Sequence, residues 1–147
     1  MSRFAPLDTS LVEQRLRDQV AEIEEVLGAA DYAQVRDLNG YRLNTAYVVL
    51  AAERNPAGAG PQAQRATAAE AVFGVVICTR NYRDPVAAGA KDDATRISGQ
   101  VREALMGWAP RGWKTCIWLQ GQVLDSDQNR VLWLDVFTTT HVLGGTP

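Results

Sequence analysis

The sequence predicts an α+β fold: a small, mostly antiparallel sheet packed by two main helices, in the order α-β-β-α-β-β. Three observations carry that expectation. Apolar residues recur at spacings of three and four in two separate stretches, one near the N-terminus and one beyond Asp93. Two runs rich in β-branched residues lie between those stretches. Two more such runs follow the second helix, joined by the turn-forming "DSDQN".

The first helix is expected from Thr9 to Gly28. Val12, Leu16, Val20, Ile23 and Leu27 fall on one stripe, and Glu13, Arg17, Asp18, Glu24 and Glu25 form a solvated opposite face. Ser10 and Glu13 fit an S-x-x-E capping box, and Gly28 sits where a left-handed cap would end the helix. The following "ADYAQVRDLNG" has room for one or two further turns before Asn39-Gly40 interrupts them. "AYVVLAAE" from Ala46 and "AEAVFGVVICT" from Ala69 to Thr79 read as strands. The connection at 55–69, rich in Ala, Gly and Pro, is expected to be a mobile loop, since it has little to bury against the entropy cost of ordering. It is not a phosphate loop: "GAGPQAQ" lacks the G-K-[ST] ending, and Pro61 removes a backbone donor.

A second loop, "NYRDPVAAGAKDD", leads into the second helix. Ile97, Val101 and Leu105 form its apolar stripe, with Asp92 or Asp93 at its N-terminal end. The segment "ALMGWAPRGWK" then makes a structural corner. Gly107 supplies the positive φ of a helix cap, Pro110 prevents continuation, and Trp108 and Trp113 land at the seam between helix and sheet. An aromatic ligand platform built from the same two tryptophans is the alternative reading of this segment. "TCIWLQGQVL" from Thr115 and "RVLWLDVFTTTHV" from Arg130 complete the fold as a hairpin.

Bulk properties bound the function. A chain of 147 residues is expected to form a single domain over 1–147 and needs no metal or disulfide to hold it. Cys78 and Cys116 lie in apolar runs and read as small buried hydrophobes. A net charge of -2 provides no basic footprint for nucleic acid, and no apolar run approaches the length of a bilayer span. The chain is therefore expected to be soluble and made in the cytoplasm. His141, the sole histidine, has no nucleophile tied to it by local spacing, and no metal-ligand motif is present. Turn and cap chemistry explains Asp92 with Asp93, and Asp125 with Asp127, more simply than a cation does. No catalytic residue, cofactor or metal is expected.

One pattern points towards assembly. Leu132, Leu134 and Val136 alternate with Val131, Trp133 and Phe137, and Phe73, Val75 and Ile77 alternate with Val72, Val76 and Cys78. Both faces of the sheet are then apolar, and two helices cover only one. The other face calls for a partner surface.

These residues carry a resemblance to a known family. "VEQRLRDQVAEIEEVLGAADYAQV", "AYVVLAAE", "VFGVVICTRNYRD", "VREALMGWAP" and "VLWLDVFTTTH" together resemble the tail terminator proteins of long-tailed bacteriophages and related tail-like particles. Its most specific element is the cluster Leu105, Gly107, Trp108 and Pro110. The resemblance implies a virion protein of the tail or neck, made in the host cytoplasm. It implies a homo-oligomeric ring, typically a hexamer, on the head-proximal end of the tail tube. Such a ring stops tube polymerisation and presents a docking surface to head-neck connector proteins, while genome DNA passes through its lumen without specific binding. Arg54, Arg65, Trp133 and Phe137 are the residues expected at subunit or tube contacts. A head-completion or neck adaptor ring is the alternative within the virion, and a small-molecule binding domain using Trp108 and Trp113 the alternative outside it.

Overall fold

A computed structural model of the chain describes residues 2–58, 67–81 and 93–144. In chain order its elements are α1 (Thr9–Gln19), β1 (Glu25–Gly28), α2 (Ala29–Gln34), β2 (Thr45–Arg54), β3 (Thr67–Arg80), α3 (Asp93–Leu105), β4 (Ile117–Ser126) and β5 (Arg130–Leu143), with a 3-10 turn at Leu38–Gly40. The strands form one five-stranded sheet in the order β1-β2-β3-β5-β4. The fold is α+β as expected, but the sheet is mixed: β1 runs parallel to β2, and the other pairings are antiparallel.

The main departure from expectation is at the N-terminal helix. It stops at Gln19, not Gly28, and the second half of its apolar stripe becomes an edge strand. Val20 and Ile23 are buried all the same, but the extended chain buries Val26 against the helices in place of Leu27, which packs on the other face. A turn at Ala21 and Glu22 lets Glu24 donate its amide to the Asn44 carbonyl at 2.8 Å, and from there Glu25–Gly28 pairs with Thr45–Val48. The open side of β2 offers this segment a backbone ladder, and β-branched residues accept the extended conformation readily. Tertiary pairing overrides a helical pattern that is locally sound. The caps shift with it. Asp8 caps α1, accepting the Ser10 amide at 3.0 Å, while Glu13 pairs instead with Arg17. Gly28 is extended, at φ -108° and ψ -171°, and precedes α2.

Two apolar clusters flank the sheet. On one face α1 and α3 cover Phe73, Val75, Ile77 and Phe137, with Val12, Leu16, Ile97, Val101 and Leu105 packed on them. Phe73 and Phe137 stack at 5.6 Å between ring centroids. On the other face Leu38 and Tyr41, together with Tyr32 of α2, cover Tyr47, Val76, Cys78 and Leu132. The second face is therefore not left wholly bare, as a fold with only two helices would leave it. Its cover ends there: Val49, Val72 and Val136 are only half-buried. Within the connection expected as a loop over 55–69, Thr67 to Ala69 already belong to β3, and residues 59–66 lie outside the described residues.

Candidate functional site

The surface that distinguishes this fold is the edge made by β4. Its inner side pairs with β5, and among the described residues no strand pairs with its outer side. Irregularities between Trp118 and Gln120 and between Val123 and Asp125 insert Leu119 and Leu124 as extra residues. Such bulges increase the twist of an edge. Four large apolar side chains nevertheless remain exposed along it: Ile117 at 59%, Leu119 at 48%, Val123 at 53% and Leu124 at 38%. From Ile117 to Leu124 the strand carries no charge. Sheet edges are usually protected by charge, proline or brevity, because unpaired backbone groups recruit other strands.

A buried carboxylate anchors this edge from within. Asp135, on β5, is 1% exposed. Its Oδ1 accepts hydrogen bonds from Arg102 Nε at 3.0 Å, Arg102 Nη2 at 2.9 Å and Trp118 Nε1 at 3.1 Å. Its Oδ2 accepts from Ser98 Oγ at 2.6 Å and Trp133 Nε1 at 3.0 Å. The donors come from α3, β4 and β5, so one group ties the helix to both strands of the terminal hairpin. Burying a carboxylate is costly unless paired and fully hydrogen-bonded, and here both oxygens are supplied. The Arg102 guanidinium also lies 4.5 Å from the centre of the Trp118 ring. Across the ladder from Asp135 stands Gly121, where a Cβ would come within 2.7 Å of Arg102 Nη2 and of Trp133 Cζ2. Only a glycine leaves room for the guanidinium.

The anchor escapes local inspection of the sequence. Its signals are an aspartate inside the apolar run "LWLDVF" and a polar i, i+4 pair, Ser98 and Arg102, on the stripe that α3 buries. Neither identifies its partner.

The corner that leads into β4 is built from Gly107, at φ 80°, and Gly112, at φ 87°. It is not a Schellman motif. The Gly107 amide donates to the Cys116 carbonyl at 3.2 Å and the Cys116 amide to the Trp108 carbonyl at 2.8 Å, so the helix end is closed by the approaching strand. Trp108 and Trp113 both pack against the core and Pro110 is buried. Arg15 reaches from α1 to donate to the Ala104 carbonyl at 2.9 Å, with its guanidinium 5.5 Å from the Trp108 ring centre. Trp113 packs on His141 at 5.0 Å between ring centroids.

The remaining candidate residues are dispersed. Arg54 is exposed at the end of β2 and paired with Glu70 at 2.9 Å. Arg65 and Asp92 lie outside the described residues. Trp133 is half-buried, its indole committed to Asp135. Phe137 is 0% exposed, and this corrects its expected place at a contact: alternation placed it on a face, and that face is the one the helices close. Asp93 pairs with Arg96 in the first turn of α3, and Asp127 accepts the Asn129 and Arg130 amides in the hairpin turn.

On the second face Tyr32, Tyr41 and Tyr47 meet at 5.5 to 5.8 Å between ring centroids. A shallow cleft of about 480 Å³ beside them is lined by residues including Leu27, Asp31, Arg36 and Arg42. Burial, reinforced by the neighbouring Tyr32, pushes the Tyr41 hydroxyl up to about 12. Burial raises the Cys78 thiol to about 11, against a lowering influence from Arg130, and the Cys116 thiol to about 12. Both cysteines are free and buried.

The fold and this surface define an α+β protein whose terminal hairpin is firmly anchored inside and apolar at its outer edge. The chain belongs to the phage tail terminator protein family, whose model matches residues 2–147. It is accordingly a structural component of a phage tail. Among curated proteins, none matches the chain.

Proposed function

We propose that the chain forms a ring, hexameric in stoichiometry, on the head-proximal end of the tail tube. There the ring stops addition of tube subunits and presents its far side to the head-neck connector proteins. The observation that carries this reading is uncovered apolar side chains in two places, along the β4 edge and at the half-buried Val49, Val72 and Val136 of the second face, where Gln120 stands beside Val136. Exposed apolar area on this scale calls for a protein partner. A head-to-tail contact that turns by a sixth of a revolution closes on itself and leaves no free surface within the ring. Arg54, exposed beside that face, supplies a charge for contacts with a neighbour or the tube. Genome DNA passes through the lumen without specific binding, and the net charge of -2 favours a lining that does not hold it.

Electron micrographs of the purified protein, alone and mixed with tail tubes, test the proposal. Rings seated at one end of the tubes are expected. A strictly monomeric protein that never binds a tube end would overturn it.

A further inference from the structure

The cleft beside the three tyrosines combines an apolar lining with a cation. Leu27, Val35 and Tyr47 line it, and all three belong to the apolar cluster of the second face. Arg36, Arg42, Asp31 and Asp37 line it as well. Arg42 pairs with Glu25 at 3.2 Å, while Arg36 is exposed and has no ion-pair partner among the described residues. The cleft lies at the β1 and β2 side of the sheet, and β4 is the opposite margin. The two stand at one level along the strands: Leu27 is opposite Tyr47, Tyr47 opposite Val76, Val76 opposite Leu134, and Leu134 opposite Gln122. Next to Gln122, β4 exposes Val123 and Leu124 and then Asp125. Leu124 is an extra residue with no partner in the ladder to β5. The Asp125 carboxylate accepts the Ser126 amide at 2.8 Å and has no ion-pair partner among the described residues.

In a closed head-to-tail ring each subunit turns one surface to either neighbour, so the two surfaces lie on opposite sides of it and at one level along the axis. The β4 edge and the cleft meet both conditions when the strands run along that axis. We infer that Val123 and Leu124 of one copy enter the cleft of the next, against its Leu27 and Val35, with Asp125 set beside its Arg36. The inference rests on the ring reading and names the surface that receives the β4 edge. The occupant is a second copy of this chain, because its apolar pair and its carboxylate match the cleft both in kind and in level. Asp31 and Asp37 would repel a carboxylate placed elsewhere in the cleft, so the position beside Arg36 sets how the two copies align. The same contact then repeats from copy to copy until the ring closes.

Cross-linking between copies tests the inference. The double variant Val35→Cys/Leu124→Cys, assembled with tail tubes and mildly oxidised, should give a ladder of covalent oligomers up to the full ring. Each single variant should give no linked species, and a mixture of the two should stop at linked pairs. The native Cys78 and Cys116 are buried and stay out of the reaction. Charge reversal at the exposed Asp125 and Arg36 gives a second readout, with circular dichroism to check the fold. Asp125→Arg or Arg36→Asp alone should weaken ring assembly by about tenfold, and both changes in one chain should restore it. Rings that appear in the micrographs without the ladder, or without rescue in the doubly reversed chain, overturn this inference and leave the ring reading standing. Linked pairs from Leu124→Cys alone would mean that two β4 edges face each other, and overturn it too. A wild-type chain that forms no ring even with tubes overturns both.

Discussion

The two edges of the sheet are managed in opposite ways. β1 is four residues long, its Val26 carbonyl accepts Arg17 Nη2 at 2.9 Å, and Glu25 pairs with Arg42 at 3.2 Å. Brevity and charge together blunt it, as is usual for an edge exposed to water. β4 is ten residues long, uncharged through Leu124, and exposes Ile117, Leu119, Val123 and Leu124 along with Gln120 and Gln122. The difference shows where stability is placed. At β1 the edge is blunted by brevity and charge, whereas β4 keeps its length, is twisted by two bulges and is anchored from within by Asp135. An edge that solvent alone had shaped would resemble β1. The exposed β4 edge has the form of a contact surface.

The difference between the two edges rests most heavily on the internal anchor. Asp135→Ala strands Arg102, Ser98 and two indoles without their acceptor, and Arg102 remains partly solvated, so a loss of about 3 kcal/mol is expected. Urea denaturation followed by tryptophan fluorescence measures it; a change below about 1 kcal/mol would mean that the carboxylate is not what holds the hairpin. Gly121→Ala comes next, at about 1–3 kcal/mol, because the added methyl has to displace the guanidinium and the Trp133 ring. The same denaturation series reads it.

Gly107→Val should cost about 1 kcal/mol or more, through conformation alone, since a Cβ there meets nothing within 4 Å. Unchanged thermal stability would show that the corner relaxes out of the left-handed region. On the opposite edge, Arg17→Ala uncaps Val26 and is expected to cost about 1 kcal/mol while raising the tendency to aggregate. Light scattering on heating separates the two effects, and an unaltered scattering onset would show that brevity alone protects β1.

The last effect appears only at alkaline pH. Cys78 and Cys116 lose their protons at about 11 and 12 in the fold, against an ordinary value of 9.0. Above pH 9 or so an unfolded chain has released protons that the folded chain still holds, so stability present in full below that pH falls as pH rises towards 11 and 12. Tyr41, raised from 10.0 to about 12, adds to the same decline. Denaturation midpoints should hold from neutral pH to about pH 9 and fall from there to pH 11, and a flat profile throughout would show that these groups are not shielded.

What the sequence determined by itself was local. Runs rich in β-branched residues, with the turn-forming "DSDQN" between the last two, marked β2, β3, β4 and β5, because strand preference and turn chemistry act within a few residues. The stripe of Ile97, Val101 and Leu105 marked α3, and Gly107 with Pro110 marked its end, since a helix and its cap are settled within a few residues. Long-range pairing decided the rest. Val20 and Ile23 are buried as a helical stripe would bury them, yet only the open side of β2 selects the strand that puts Val26 in the core in place of Leu27. Asp135 stands in an apolar run, and only the convergence of residues 98, 102, 118 and 133 on it shows why. Phe137 and Leu134 alternate alike on paper, yet the stacked helices close over one and the sheet's second face leaves the other half-open. Periodicity tells a residue which face it joins; only packing tells that face whether it is core or surface.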